Sequence, residues 1–253
     1  TIALSKFRNT LVTRGYQEAI TYSFVDPKAQ AIIHPQSNPL ILPHPISIEM
    51  SAMRVSLMPG LLASVAYNQN RQQPRIRLFE HGLKFISDDS AENGLQQVPV
   101  IGGVITGLAH GEHWVEQKRN VDFYDLKGDV EALLAITNDT SRFEIKAEQS
   151  DGLHPGQSAV IYVEGKKVGF FGALHPQVQK SLNINNATFV FEIEMSAIEK
   201  RNLPQAVGVS KFPSNRRDIA ILVADSVNSG DILSTIEKVG GNQLVDLNLF
   251  DVY

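Results

Sequence analysis

The chain has 253 residues, 43% of them hydrophobic and 20% charged, with a formal net charge of −4 at pH 7. Such a composition suits a large core plus a small satellite and argues against a strong polyanion binder, so any RNA contact has to come from a local patch or a partner. There is no cysteine for disulfides or thiolate metal sites, no apolar run near the ~20 residues that span a bilayer, and no signal-peptide apolar stretch in TIALSKFRNT; a cytoplasmic, non-membrane protein is expected.

Leu4, Phe7 and Leu11 recur at helical spacing, and Gly15 follows Arg14 as a helix-ending glycine. Alternation of Ile20, Tyr22 and Phe24 with smaller residues predicts a strand ended by Pro27, and 28–45 reads as loop with a short helix or strand. Ser56 is a fair N-cap for a helix with Pro59 in its first turn and Leu61, Leu62, Val65 and Ala66 on its apolar face. A polar run, Asn68 to Gln73, leads into a strand over 75–86. Segment 87–98 reads as a hairpin tip, VIGGVITGL as a buried strand, and Asp122 as the cap of a helix striped by Phe123, Leu126, Val130, Leu133 and Leu134. Residues 142–195 are mostly β, with a hairpin turn at Glu164-Gly165-Lys166-Lys167. Beyond a charged connector the pattern changes to strand (RRDIAILVAD), helix (SGDILSTIEKVGG) and strand (LVDLNLFDVY), a second domain starting near residue 205.

Five stretches taken together resemble the β subunits of bacterial phenylalanyl-tRNA synthetases: RGYQEAITYSFVDP (14–27), the block 49–85, DFYDLKGDVEALL, LHPGQSAVIYVEGKKVGFFGALHP and KFPSNRRDIAILV. The resemblance implies an α+β fold. Residues 1–204 would form a class II aminoacyl-tRNA synthetase-like antiparallel sheet with flanking helices. Residues 205–253 would form the first half of a ferredoxin-like anticodon-binding domain, an incomplete β-α-β. It also implies an α2β2 heterotetramer with an α subunit, tRNA(Phe) as the nucleic acid, and ATP with Mg²⁺ as cofactors of the whole complex, with none in this fragment.

A class II site needs an arginine on its second motif strand for the ATP α-phosphate and a glycine-rich strand on which adenine lies flat. Arg77-Leu-Phe-Glu80 matches the first only in part, and no glycine occurs from Ala173 through Val207. TFVFEIEM puts Phe189, Val190, Phe191 and Ile193 there instead. The expectation is therefore a non-catalytic assembly module, with no catalytic, cofactor or metal residues of its own. Leu4, Phe7 and Leu11 are its candidate α-subunit contacts, although the same stripe is what an internal core helix would show. Arg216 and Arg217 are candidate RNA contacts. Two alternatives are an active enzyme with an atypical ATP site built from Arg54, Arg77 and Glu80, and a stand-alone RNA-binding module.

Other constellations favour plain readings. His110-Gly-Glu-His113 reads as an exposed loop. His154-Pro-Gly and His175-Pro read as turns, because the residue before proline is held extended. Nothing in the sequence brings any two of Glu49, Glu80 and Asp125 together. A ferredoxin-like fold places the third strand between the first two, so 205–253 alone lacks a partner for its strand edges. It should pair with another molecule, pack abnormally, or be poorly ordered.

Overall fold

A computed structural model describes residues 1–91, 94–203, 206, 208 and 211–252. The chain divides into two compact units, Thr1–Gln205 and Ala206–Tyr253.

The first unit opens with α1 (Leu4–Thr13), which stops at Arg14 because Gly15 takes a φ of +85°. The strand expected to run to Pro27 is broken into β1 (Gln17–Glu18) and β2 (Phe24–Val25). It does end ahead of Pro27, at Val25. Asp26 accepts the N–H of Lys28, and Pro27 opens the short helix α2 (Pro27–Ile33). The fixed φ of proline and its missing N–H are tolerated at a helix start. The short strand β3 (Ala52–Met53) then pairs with β2. In α3 (Met58–Gln69) the N-cap is Leu57 rather than the expected Ser56, which stands one residue earlier with its Oγ accepting the Met58 N–H at 3.1 Å.

Two long strands follow, β4 (Arg75–Ser87) and β5 (Leu95–Gly107), joined in an unbroken antiparallel register from Arg75↔Gly107 to Ser87↔Leu95. Next comes α4 (Phe123–Ala135), held at its start by a reciprocal box. Asp122 accepts the N–H groups of Tyr124 and Asp125, and Asp125 accepts that of Asp122. The remaining elements are β6 (Phe143–Ala147), β7 (Leu153–Val163), β8 (Lys166–Leu174), α5 (Pro176–Ser181), β9 (Thr188–Glu194) and α6 (Met195–Ile198). Glu164 and Gly165, both at positive φ, turn β7 into β8.

Seven strands form one sheet in the order β1-β4-β5-β9-β8-β7-β6, antiparallel except for the β1–β4 pair. Alternation sends side chains to two apolar layers. Phe79, Ile101, Ile105, Phe171, Phe189, Phe191 and Ile193 pack with Phe7 and Leu11 of α1, with α4 and with α6. Ile76, Val100, Val104 and Val190 pack with α3, Ile33 of α2 and Val178 of α5. Helices therefore cover both faces of the sheet.

In the second unit, α7 (Ser229–Gly240) forms as expected. The two flanking strands do not: among the described residues, 213–224 and 244–252 join no ladder, and 244–252 does not pair with 217–224. A helix closes its own hydrogen bonds, whereas a strand needs a neighbour. Among the described residues no helix is long and apolar enough to cross a membrane.

Candidate functional site

Arg77 and Glu80 sit three residues apart on β4, so alternation sends them to opposite faces of the sheet. On the α1/α4 face, Asp129 of α4 collects three donors. Arg77 Nη1 lies at 2.9 Å, the Tyr16 hydroxyl donates at 2.7 Å, and Arg14 Nε donates at 2.5 Å. Burial, and then the Asp129 charge, push the Tyr16 hydroxyl well above its usual 10, so it stays a neutral donor.

On the α3 face, Glu80 Oε1 receives Arg54 Nη1 at 2.7 Å while Thr21 Oγ1 donates to Glu80 Oε2 at 2.7 Å. Arg54 Nε also donates to the Leu83 carbonyl at 2.8 Å, and both ionic partners are 3% exposed. Gly82 is required here, because a Cβ would stand 2.3 Å from Arg54 Nη2, which the ion pair holds in place. Every charged group proposed for an atypical ATP site is therefore engaged inside the fold: Arg54 and Glu80 with each other, and Arg77 with Asp129 on the opposite face. They do not fit a triphosphate.

The strand where a glycine-rich floor was sought is β9, between β5 and β8. Phe189, Phe191 and Ile193 point into the α1/α4 layer. A Cβ on the neighbouring Gly103 would come within 2.4 Å of the Phe191 ring, so that ring occupies the space above the glycine. On the other face, Gly102 lies under Leu57 and Met58 at the start of α3. Glu192 is buried on that face. Its Oε2 accepts the Leu57 N–H at 2.8 Å, Lys84 Nζ stands 3.7 Å from Oε1, and burial raises its pKa. A cavity of about 170 Å³ remains beside it, between Lys84, Lys167, Phe170, Glu192 and Glu194.

The candidate contact stripe requires a correction. Phe7 and Leu11 are 0% exposed within the unit's own core, and Leu4 packs partly buried against it. Helical spacing cannot say which neighbour covers a stripe, and here the neighbours are this chain's α4 and sheet. Among the apolar residues that face solvent are Ile20 (93% exposed), Tyr22 (74%), Ile46 and Ile48. In the second unit Arg216 and Arg217 are exposed; Arg216 Nε is 3.4 Å from Asp218, and its guanidinium lies 5.8 Å from the Phe250 ring.

His110 is 3.4 Å from Glu116, and His113 stacks on Trp114; among the described residues no group of three or more side chains could hold a metal. The structure does bring His154 and His175 together, with ring centroids 6.5 Å apart. Each Nδ1 accepts a backbone N–H two residues ahead; the turn reading is corrected, because His154 lies in β7 and His175 caps α5. Asp125 pairs with Arg119, far from any role with Glu80. Sequence reasoning missed Asp129, Tyr16, Glu192 and His34. Of these only Glu192 carried a signal, a carboxylate inside an otherwise apolar strand.

The profile described as "Phenylalanyl tRNA synthetase beta chain CLM domain" matches residues 2–195, and that described as "Ferredoxin-fold anticodon binding domain" matches 210–253. The chain belongs to the phenylalanyl-tRNA synthetase β-chain family. Among the relatives of this β-chain segment, a phenylalanine–tRNA ligase β subunit of Pseudoalteromonas translucida is 90% identical over the whole chain, and those of Colwellia psychrerythraea and Yersinia pestis are 56% and 53% identical. The segment spans about a third of their length, 32% of the first. A pyrrolysyl-tRNA synthetase structure from Desulfitobacterium hafniense shares the synthetase fold at a TM-score of 0.55 and 14% identity, covering 78% of this chain and 66% of that one.

Proposed function

We propose that the β-chain segment is a non-catalytic structural module of a phenylalanine–tRNA ligase, supporting assembly with an α subunit and the binding of tRNA(Phe) in the cytoplasm. ATP and Mg²⁺ act elsewhere in that complex, which by the resemblance is an α2β2 heterotetramer. One observation carries the reading: Arg77 and Glu80, the remnants of a phosphate-binding motif, face opposite sides of the sheet, and each is closed into an ion pair within the fold. Phe191 lying against Gly103 supports it, because no bare backbone is left there for a nucleotide base. The exposed Ile20 and Tyr22, which follow the parallel edge strand β1, are better placed than the buried α1 stripe to meet the α subunit. In the second unit Arg216 and Arg217 remain candidates for RNA contact.

ATP–pyrophosphate exchange separates this from the adenylating alternative. The chain expressed without an α subunit should show no phenylalanine-dependent exchange, and robust exchange would overturn the reading. Co-purification with the α subunit should survive in the wild type and weaken in Ile20→Asp/Tyr22→Asp, with the thermal midpoint unchanged.

A further inference from the structure

The charge of the chain is unevenly placed. Although it holds 27 Asp and Glu among 253 residues, none occurs in 50–79 and none in 165–191. These stretches meet at one corner of the first unit, where the end of α3 lies beside the loop between α5 and β9. The Asn185 N–H donates to Gln69 Oε1 at 2.9 Å and stitches them together. The corner is amide-rich: Asn70, Gln72 and Gln73 are exposed on one side, and Asn183, Asn185 and Asn186 on the other. Two exposed cations flank them, Arg71 and Lys180. Tyr67 is 56% exposed, and the Arg71 guanidinium carbon sits 3.3 Å from its ring centroid, anchored by a bond from Nη1 to the Tyr67 carbonyl at 3.1 Å.

We infer that this corner is an RNA-binding surface, engaging tRNA through its sugar-phosphate backbone and an unstacked base. The inference rests on the tRNA-handling role proposed above and adds to it a surface on the first unit. Phosphates repel carboxylates, and two adjoining segments that contain none within a chain of net charge −4 suit a polyanion. Asn and Gln offer both donors and acceptors, matching phosphate oxygens, 2′-hydroxyls and base edges. A guanidinium stacked on an exposed tyrosine is a platform for a splayed base. A protein partner fits less well, since protein interfaces have an apolar, aromatic centre and this corner has one aromatic ring among amides.

The test is binding of a tRNA(Phe) transcript to the assembled ligase carrying the full-length β subunit, over a range of salt. Arg71→Glu/Lys180→Glu should weaken binding about tenfold near physiological salt and flatten the log–log salt slope by about 1–2, as expected for losing two phosphate contacts. Tyr67→Ala should weaken binding several-fold with little change in slope. Thermal midpoints should not move, because all three side chains are exposed. Unchanged affinity and slope overturn the inference. So does loss of subunit association with RNA affinity per complex intact, which would mark the corner as a protein contact. Failure of the wild-type ligase to bind the transcript would instead defeat the tRNA-handling role itself.

Discussion

Asp129 draws Arg14, Tyr16 and Arg77 onto one buried carboxylate, so its removal leaves Arg77 charged and uncompensated beneath α4. Asp129→Ala should cost about 3–5 kcal/mol, read as a lowered urea midpoint. His34 gives a pH signature. Burial dominates its shift, opposed by Asp151 and reinforced by Lys84 and Lys167, and lowers its pKa from 6.5 to about 4. Between those values the unfolded chain binds a proton that the folded chain refuses, so stability falls as pH drops through that window and levels off below it. Allowing for partial contact with water, the loss is about 2 kcal/mol. His34→Gln should flatten this part of the stability–pH profile, measured by urea unfolding between pH 4 and 7. None of these roles was readable beforehand. A lone Asp in a helix and a lone His before Pro35 carry no periodic signal, and only tertiary packing gives them partners.

Elements with a strong repeat were read correctly. The stripes of α1 and α4 and the capping residue Asp122 follow from period and cap chemistry, whereas the expected tip over 87–98 is shorter, because Leu95–Val98 already pair with Lys84–Ser87. What periodicity lacked was the identity of the covering surface, hence the misplacement of Phe7 and Leu11 at a subunit contact. Phe7→Ala should destabilise the unit by about 3–5 kcal/mol, lowering its thermal midpoint whether or not an α subunit is present. A contact residue would instead weaken association and spare the isolated fold. The strand over 18–27 failed for want of a common partner. Its two ends pair with different neighbours, β1 with β4 and β2 with β3, and the residues between them join neither ladder.

Taken whole, the chain combines a tightly built unit with one whose described residues hold a helix and no ladder. Amides in 217–224 should exchange with solvent at least about a thousandfold faster than those of β4 and β5 in the isolated chain, as followed by hydrogen exchange. Comparable protection would show that those residues had found strand partners. The family was readable from five stretches in order, and so was a mostly antiparallel sheet with flanking helices. The β-α-β was anticipated only in its helix, since the partner of a strand cannot be read from the strand's own residues. The margins of the sheet hold one more consequence. On the outer side of β4, β1 pairs with Leu78 and Phe79, Arg54 Nε occupies the Leu83 carbonyl, and the Phe85 N–H donates to the Arg54 carbonyl. Those bonding groups are already taken along a strand that would otherwise template its own multiplication. Arg54 thereby closes that stretch of the margin with its side chain at Leu83 and its backbone at Phe85, and Arg54→Met would reopen the Leu83 carbonyl while stranding Glu80 without its ion-pair partner.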